Sequence, residues 1–351
     1  MNSEIITGTE RRTGTSRRRG SRRRRSSFIF LLIPAVLVLF GAGIFVFTNG
    51  PAFPFHNRYR LAERTALTMN DCAPPSFLPG FAEDLAVVRL SSDDDQVMEA
   101  GSAIAVAEGE ADAVYAKNAF QRMNPASTTK VMTCLVALDR MNLQETWTAG
   151  PEIYVSDKAA SLAGFHEGDS VSALDVLYGL MLPSGADAAN MIALHLAGGE
   201  EQFVALMNEK AAELGCTGTH FTNTHGLTDD LHYSTAYDLY LILRAAMKNP
   251  VFREIAGAVE HTADYTDAAG APVQKKWKNT NFYMSGKAVP PEGYTVTAGK
   301  TGTTLAAGNC LVLAGTDAAG TECYSVVLKA AKRDLLYTDM NLVLEKLAGR
   351  Q

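Results

Sequence analysis

Apolar positions along the chain fall into three regimes. Residues 28–48, F-I-F-L-L-I-P-A-V-L-V-L-F-G-A-G-I-F-V-F-T, are an unbroken run of twenty-one uncharged positions. At about 1.5 Å per residue, a helix of this length spans roughly 30 Å, the hydrocarbon thickness of a bilayer. Residues 49–84 carry Pro51, Pro54, Pro74, Pro75 and Pro79 with little periodicity, the pattern of a tether. From about residue 85 the pattern becomes that of a globular domain, 85–351, with no internal repeat.

Within that domain, short apolar runs at 103–107 and 113–115 flank an E-G-E turn at 108–110 and predict a hairpin. A helix is expected from about Ser127, with Val131, Met132, Leu135 and Val136 on one face. Ser172 and Asp175 form a capping box that opens a helix over 173–182. Phe203, Leu206, Met207, Ala211 and Leu214 mark another helix, closed by Gly215. Thr235 and Asp238 repeat the box before a helix over 237–247, which Asn249-Pro250 stops. Strands are expected at 294–297, 310–313 and 323–329, with D-A-A-G at 317–320 turning between the last two. A final helix covers about 335–347. Helices in the middle with strands at both ends predict an α+β domain, its antiparallel sheet packed against a helical region and completed by the C-terminal hairpin.

Charge sharpens the reading of the N-terminus. Residues 1–27 hold nine arginines against Glu4 and Glu10, whereas the whole chain is −6. A basic block of this kind also occurs in nucleic-acid-binding and nuclear-targeting segments. Next to an apolar span it reads instead as a cytoplasmic flank, which places the later residues outside the membrane. A cleaved signal peptide would have a shorter apolar core and an A-x-A-like site, so an uncleaved signal anchor is expected, with no nucleic-acid partner. The five cysteines, Cys72, Cys134, Cys216, Cys310 and Cys323, lack C-x-x-C spacing, which argues against a zinc or redox motif. No disulfide is predicted, and Cys134 and Cys216 read as small core residues.

Candidate chemistry begins at N-P-A-S-T-T-K, 124–130. Of all the serines, only Ser127 is followed three positions later by a lysine. On a helix, positions i and i+3 share a face, so the Lys130 amine can reach the Ser127 hydroxyl. A lysine must lose its proton to act as base at neutral pH, and burial or a second cation lowers its pKa. An isolated S-x-x-K is ordinarily just an N-cap with a solvated lysine. Here a second pattern accompanies it: Lys300, Thr301 and Gly302 form the one K-T-G of the sequence, at the end of a predicted strand. These residues offer a cation and a donor to a carboxylate, while the glycine admits a close-lying backbone. Between the two motifs lies L-P-S-G-A-D-A-A-N, where Pro183 and Gly185 expose the hydroxyl of Ser184 at a bend.

S-x-x-K, a central S-x-N-like motif and K-T-G, in this order, are a signature of penicillin-binding proteins and class A β-lactamases. Longer stretches carry the resemblance from about residue 102 to 348. They are Y-A-K-N-A-F-Q-R-M-N-P-A-S-T-T-K-V-M-T, D-V-L-Y-G-L-M-L-P-S-G-A-D-A-A-N, H-F-T-N-T-H-G-L, H-Y-S-T-A-Y-D-L and A-G-K-T-G-T-T. On these the chain resembles the serine D-alanyl-D-alanine carboxypeptidases, the low-molecular-mass penicillin-binding proteins. The resemblance implies a β-lactamase/penicillin-binding-protein-like transpeptidase fold and no cofactor. It implies that Ser127 attacks the bond between two D-alanines of a peptidoglycan stem peptide and that Lys130 takes its proton. Ser184 would relay a proton to the leaving D-alanine, and Lys300 with Thr301 would hold the terminal carboxylate. The backbone N–H groups of Ser127 and Thr303 would receive the oxyanion, and β-lactams would trap the acyl-enzyme.

The chain departs from the pattern at one position: Ser184-Gly185-Ala186 stands where Ser-x-Asn is usual. Loss of that carboxamide predicts altered activity, by roughly ten- to a hundredfold. Asn190, four residues on, is either a substitute for the amide or a helix-packing asparagine. The chain also closes soon after its last helix, where many relatives continue into a β-rich domain and an amphipathic helix, so the N-terminal span is expected to do the anchoring. His220, His225 and His232 match no zinc spacing and read as loop-fixing hydrogen-bond donors. A β-lactamase and a peptidoglycan-binding protein with a weakened site are the alternatives.

Overall fold

Both ends of the described chain contribute to one antiparallel sheet. The computed structural model describes residues 86–88 and 98–350, all within the unit Leu78–Gln351. The expected basic segment 1–27, membrane span 28–48 and tether 49–84 lie outside the described residues. Among the described residues, no helix is long and apolar enough to cross a membrane.

Strand β1 (Ser102–Ala107) turns back into β2 (Tyr115–Lys117), pairing Ile104 with Ala116 as the E-G-E turn predicts. A 3-10 turn, Ala126–Thr129, leads into helix α1 (Lys130–Leu138). Two three-residue strands, β3 (Thr146–Thr148) and β4 (Ser170–Ser172), precede α2 (Ala173–Met181). Then follow α3 (Ala186–Ala197), α4 (Glu200–Glu213), α5 (Ala236–Met247) and α6 (Pro250–Gly257). Strands β5 (Glu260–Thr266), β6 (Pro272–Lys278), β7 (Tyr294–Thr304), β8 (Gly308–Asp317) and β9 (Glu322–Ala330) lead to α7 (Arg333–Ala348).

The larger sheet has the order β2-β1-β9-β8-β7, so β1 and the C-terminal hairpin meet at its centre and β7 forms an edge. Its two faces bury different layers. Ile104, Val106, Val312, Val326 and Leu328 join the helical core, where α1, α2, α3 and α5 pack. Ala103, Ala105, Leu311, Leu313 and Val327 alternate with them and face Leu336, Met340, Val343 and Leu347 of α7. Because both faces are covered, β1 is buried along its whole length, as expected for a sheet sandwiched between helices.

The sequence signals for caps hold. Ser172 accepts a hydrogen bond from Asp175 N at 3.0 Å, and Thr235 accepts one from Asp238 N at 3.0 Å. Asn249-Pro250 does more than end α5: Asn249 Oδ1 accepts from Val251 N at 2.9 Å and caps α6, with Pro250 at the first helical position, where its missing N–H costs nothing. A second sheet, β3-β4-β5-β6, was not expected. Its long strands are polar on alternate positions, with Ala263, Tyr265 and Trp277 supplying the buried side. Cys134, Cys216, Cys310 and Cys323 are buried free thiols.

Candidate active site

The geometry of the site starts from Pro125 and the two threonines inside S-T-T-K. Thr128 Oγ1 donates to Pro125 O at 2.7 Å, and Thr129 Oγ1 donates to Ala126 O at 2.8 Å. Both threonines are fully buried, so these bonds lock the turn from within. Ala126 adopts φ +48, an uncommon left-handed conformation for a residue with a Cβ. Ser127 is thereby lifted to the edge of the turn and Lys130 begins α1. The Lys130 amine donates to Ser127 Oγ at 3.1 Å and to the His225 carbonyl at 2.6 Å.

Lys130 is 2 % exposed. Its burial lowers the amine from 10.5 to about 7, and nearby Asp187 opposes part of that effect. A primary amine of this kind exchanges protons at neutral pH, as a base for a neighbouring hydroxyl must.

Strand β7 brings the second pair. A bulge between Val296 and Ala298 shifts its register, and beyond it Lys300 is buried. Lys300 Nζ donates to Ser184 Oγ at 2.9 Å and to Thr301 O at 2.8 Å. Burial, and secondarily the positive charge of Lys130, hold Lys300 well below the ordinary lysine range. Ser184 has φ +69 at the bend between α2 and α3, a conformation that costs a non-glycine residue of order 1–3 kcal/mol and recurs at functional sites. Gly302 runs close to the first turn: a Cβ there would lie 2.8 Å from Ser127 N and 3.0 Å from Thr128 N. Thr301 Oγ1 shares a 2.6 Å hydrogen bond with Thr280 Oγ1, and Thr303 is exposed at the strand's end.

The structure therefore gathers Ser127, Lys130, Ser184, Lys300, Thr301 and Gly302 into two serine–lysine pairs beside an edge strand. Ala186 is buried at the start of α3. Asn190 does not replace the missing amide: its Nδ2 donates to Glu152 O at 3.0 Å, the packing role. Three contributors went unnoticed in the sequence. They are the His225 carbonyl, Thr280, and Asp187, which sits inside L-P-S-G-A-D-A-A-N yet offers no motif of its own.

His220 fits the expectation of a loop-fixing donor, its Nδ1 donating to Leu231 O at 2.8 Å, whereas His232 and His225 also accept. Thr222 N donates to His232 Nδ1 at 3.1 Å, so His232 Nε2 carries the proton toward Thr129 Oγ1 at 2.8 Å. Leu227 N donates to His225 Nδ1 at 3.2 Å. Both rings can accept because burial keeps them neutral, with the imidazole pKa lowered to about 3 for His225 and about 4 for His232. Among the described residues, no group of three His, Cys, Asp or Glu side chains is arranged to hold a metal ion.

Comparison with known proteins agrees with this geometry. The profile of the D-alanyl-D-alanine carboxypeptidases, peptidase S11, matches residues 89–332. The D-alanyl-D-alanine carboxypeptidase DacF of Bacillus subtilis is 34% identical over 166 residues, which is 46% of this chain and 42% of the relative. The D-alanyl-D-alanine carboxypeptidase of Streptomyces sp. strain K15 is 35% identical over 224 residues, 60% of this chain and 75% of that protein. The chain thus spans less than half the length of the first relative and three quarters of the second. The crystal structure of the Streptomyces K15 DD-transpeptidase aligns with a TM-score of 0.66 at 33% identity, over 71% of this chain and 97% of that one. With a family profile spanning both serine–lysine pairs, the chain belongs to the D-alanyl-D-alanine carboxypeptidase family of the S11 peptidases.

Proposed function

We propose that the chain is a serine D-alanyl-D-alanine carboxypeptidase that removes the terminal D-alanine of peptidoglycan stem peptides. The observation that carries this reading is the wholly buried Lys130 amine, lowered to about 7, 3.1 Å from Ser127 Oγ. Neutral Lys130 takes the Ser127 proton as Oγ bonds to the carbonyl carbon between the two D-alanines. The oxyanion lies between the N–H groups of Ser127 and Thr303, preorganised donors of the kind that stabilise acyl transfer. The peptide bond then breaks, and Ser184, in contact with Lys300, gives its hydroxyl proton to the departing amine while the proton that Lys130 took replaces it, so that Lys130 is neutral again. Lys300 and the Thr301 hydroxyl, itself held by Thr280, bind the terminal carboxylate. Water releases the shortened peptide and restores Ser127.

β-Lactams acylate Ser127 in place of the peptide. A second reading, transfer of the acyl group to an amine, is favoured by one observation: the structural neighbour at 33% identity is called a DD-transpeptidase. The two readings share every step up to the acyl-enzyme and differ in the acceptor. The reaction is tested by following D-alanine release from a peptide ending in D-Ala-D-Ala. Wild type should release it and Ser127→Ala should not; release by Ser127→Ala would refute the reading.

For location, residues 28–48 anchor the chain in the bacterial cell membrane, with 1–27 cytoplasmic and the catalytic domain outside on the 49–84 tether. The support is the uncharged run and the arginine block before it. The full-length chain should sediment with membranes and its C-terminal domain should be digested by protease added to spheroplasts. Protection of that domain, or a chain found free of membranes, would contradict the anchor.

A further inference from the structure

Behind Ser184 lies a carboxylate that the reaction as written does not use. Asp187 is 1 % exposed. Its oxygens accept hydrogen bonds from Ala163 N at 2.7 Å, Gly164 N at 2.7 Å, Phe165 N at 3.2 Å and Ala188 N at 2.9 Å. The loop 161–165 is thus strapped to the first turn of α3, and Ala186 N donating to Ser161 O at 2.8 Å adds a further tie. The packing is close enough to require glycine at 185: a Cβ there would lie 2.7 Å from Asp187 Oδ1, from Ala163 N and from Gly179 O. Ser184, with its left-handed backbone, is the residue immediately before this clamp.

We propose that Asp187 is a positioning residue of the site: it clamps the Ser184 bend to the loop 161–165 and presents a fixed negative charge to the buried Lys130. The role rests on the serine carboxypeptidase reading above. Four backbone donors satisfy both carboxylate oxygens and fix their position. This matters more here than in a chain with asparagine at 186, because Ala186 supplies no polar group to the lysine pair and Asn190 is engaged by Glu152 O. The groups facing Lys130 are Asp187 from α3, Lys300 from β7, and His225 and His232 from the 220–233 segment. Lys300 and the neutral histidines add no negative charge. Asp187 alone among these favours the ammonium form that Lys130 takes after accepting the Ser127 proton.

The test compares full-length wild type, Asp187→Asn and Asp187→Glu by the pH profile of Ser127 acylation with a fluorescent penicillin, with thermal melting alongside. Without the charge, Lys130 loses its proton more readily. In Asp187→Asn the acid limb should therefore move to lower pH by roughly one unit, while the plateau rate falls at least tenfold. Asp187→Glu keeps the charge but stretches the clamp, so its plateau should fall with the acid limb unmoved. Acid limbs that coincide in wild type and a folded Asp187→Asn would overturn the charge role. If Asp187→Asn does not fold, the Asp187→Glu profile decides, and a plateau equal to wild type would overturn the clamp. Wild type run in parallel separates this outcome from failure of the acylation reading itself, which would show as no labelling of the wild type.

Discussion

Lys300 Nζ lies 2.9 Å from Ser184 Oγ across 116 positions of sequence. The contact joins the edge strand β7 to the bend between α2 and α3, and in the proposed reaction Ser184 is the group that passes a proton to the leaving amine. Removal of that hydroxyl by Ser184→Ala should lower the acylation rate constant by about a hundredfold or more, the usual range for loss of a positioned proton carrier. The fold should remain, since Lys300 keeps Thr301 O as an acceptor. Acylation at the wild-type rate would remove Ser184 from the proton path.

Burial sets the pH dependence. Lys130 is lowered to about 7, and only its neutral form can accept the Ser127 proton. Acylation should rise with pH through about 7 and level off above it, losing roughly tenfold per unit on the acid side. The same lowering has a stability counterpart. Between about 7 and 10.5 the unfolded lysine holds a proton that the native one lacks, so this contribution to stability is full above 10.5 and is lost as pH falls toward 7. A flat acylation profile from pH 5 to 9 would show that Lys130 is not the base.

Gly302 is the point where β7 passes the turn that carries Ser127. Gly302→Ala would put a methyl group 2.8 Å from Ser127 N and 3.0 Å from Ala126 Cβ. The strand and the turn must then part by a few tenths of an ångström or more, which would move the N–H groups proposed to receive the oxyanion. Acylation should fall by about a hundredfold, the scale of a small misplacement of reacting groups, while the melting temperature changes by only a few degrees. Stopped-flow acylation and a thermal melt on the same sample separate the two effects.

Ala186 marks the departure from the usual family motif. Ala186→Asn should change the kcat/KM for D-alanine release by about tenfold or more, since a polar partner at such a site contributes roughly 1–3 kcal/mol. If acylation and release both stay at their wild-type values, the residue at 186 has no bearing on the reaction.

What the sequence disclosed follows from how locally each feature is determined. Ser127 and Lys130 are three positions apart on one turn, the capping residues Ser172 and Thr235 bond within their own turns, and the D-A-A-G turn closes on itself. All of these were legible. The bond from Lys130 to the His225 carbonyl was not, because a main-chain oxygen brought from 95 residues away leaves no side-chain pattern. Asp187 was hidden for the same reason, as its partners are backbone N–H groups of residues 163–165. The β5–β6 hairpin escaped because its buried positions are few, Ala263, Tyr265 and Trp277, and the bonds that tie it inward, Trp277 Nε1 to Ala163 O at 2.8 Å and His261 Nε2 to Asp175 Oδ1 at 2.6 Å, reach residues distant in sequence.

The most direct measurement is intact-mass spectrometry of the full-length chain after incubation with benzylpenicillin, wild type beside Ser127→Ala. Wild type should gain the mass of one penicilloyl group, and proteolysis should place it on Ser127. Ser127→Ala should remain at its own mass under the same conditions. A wild type that gains no mass, or a Ser127→Ala chain that gains the same adduct, would contradict the assignment of Ser127 as the acylated nucleophile.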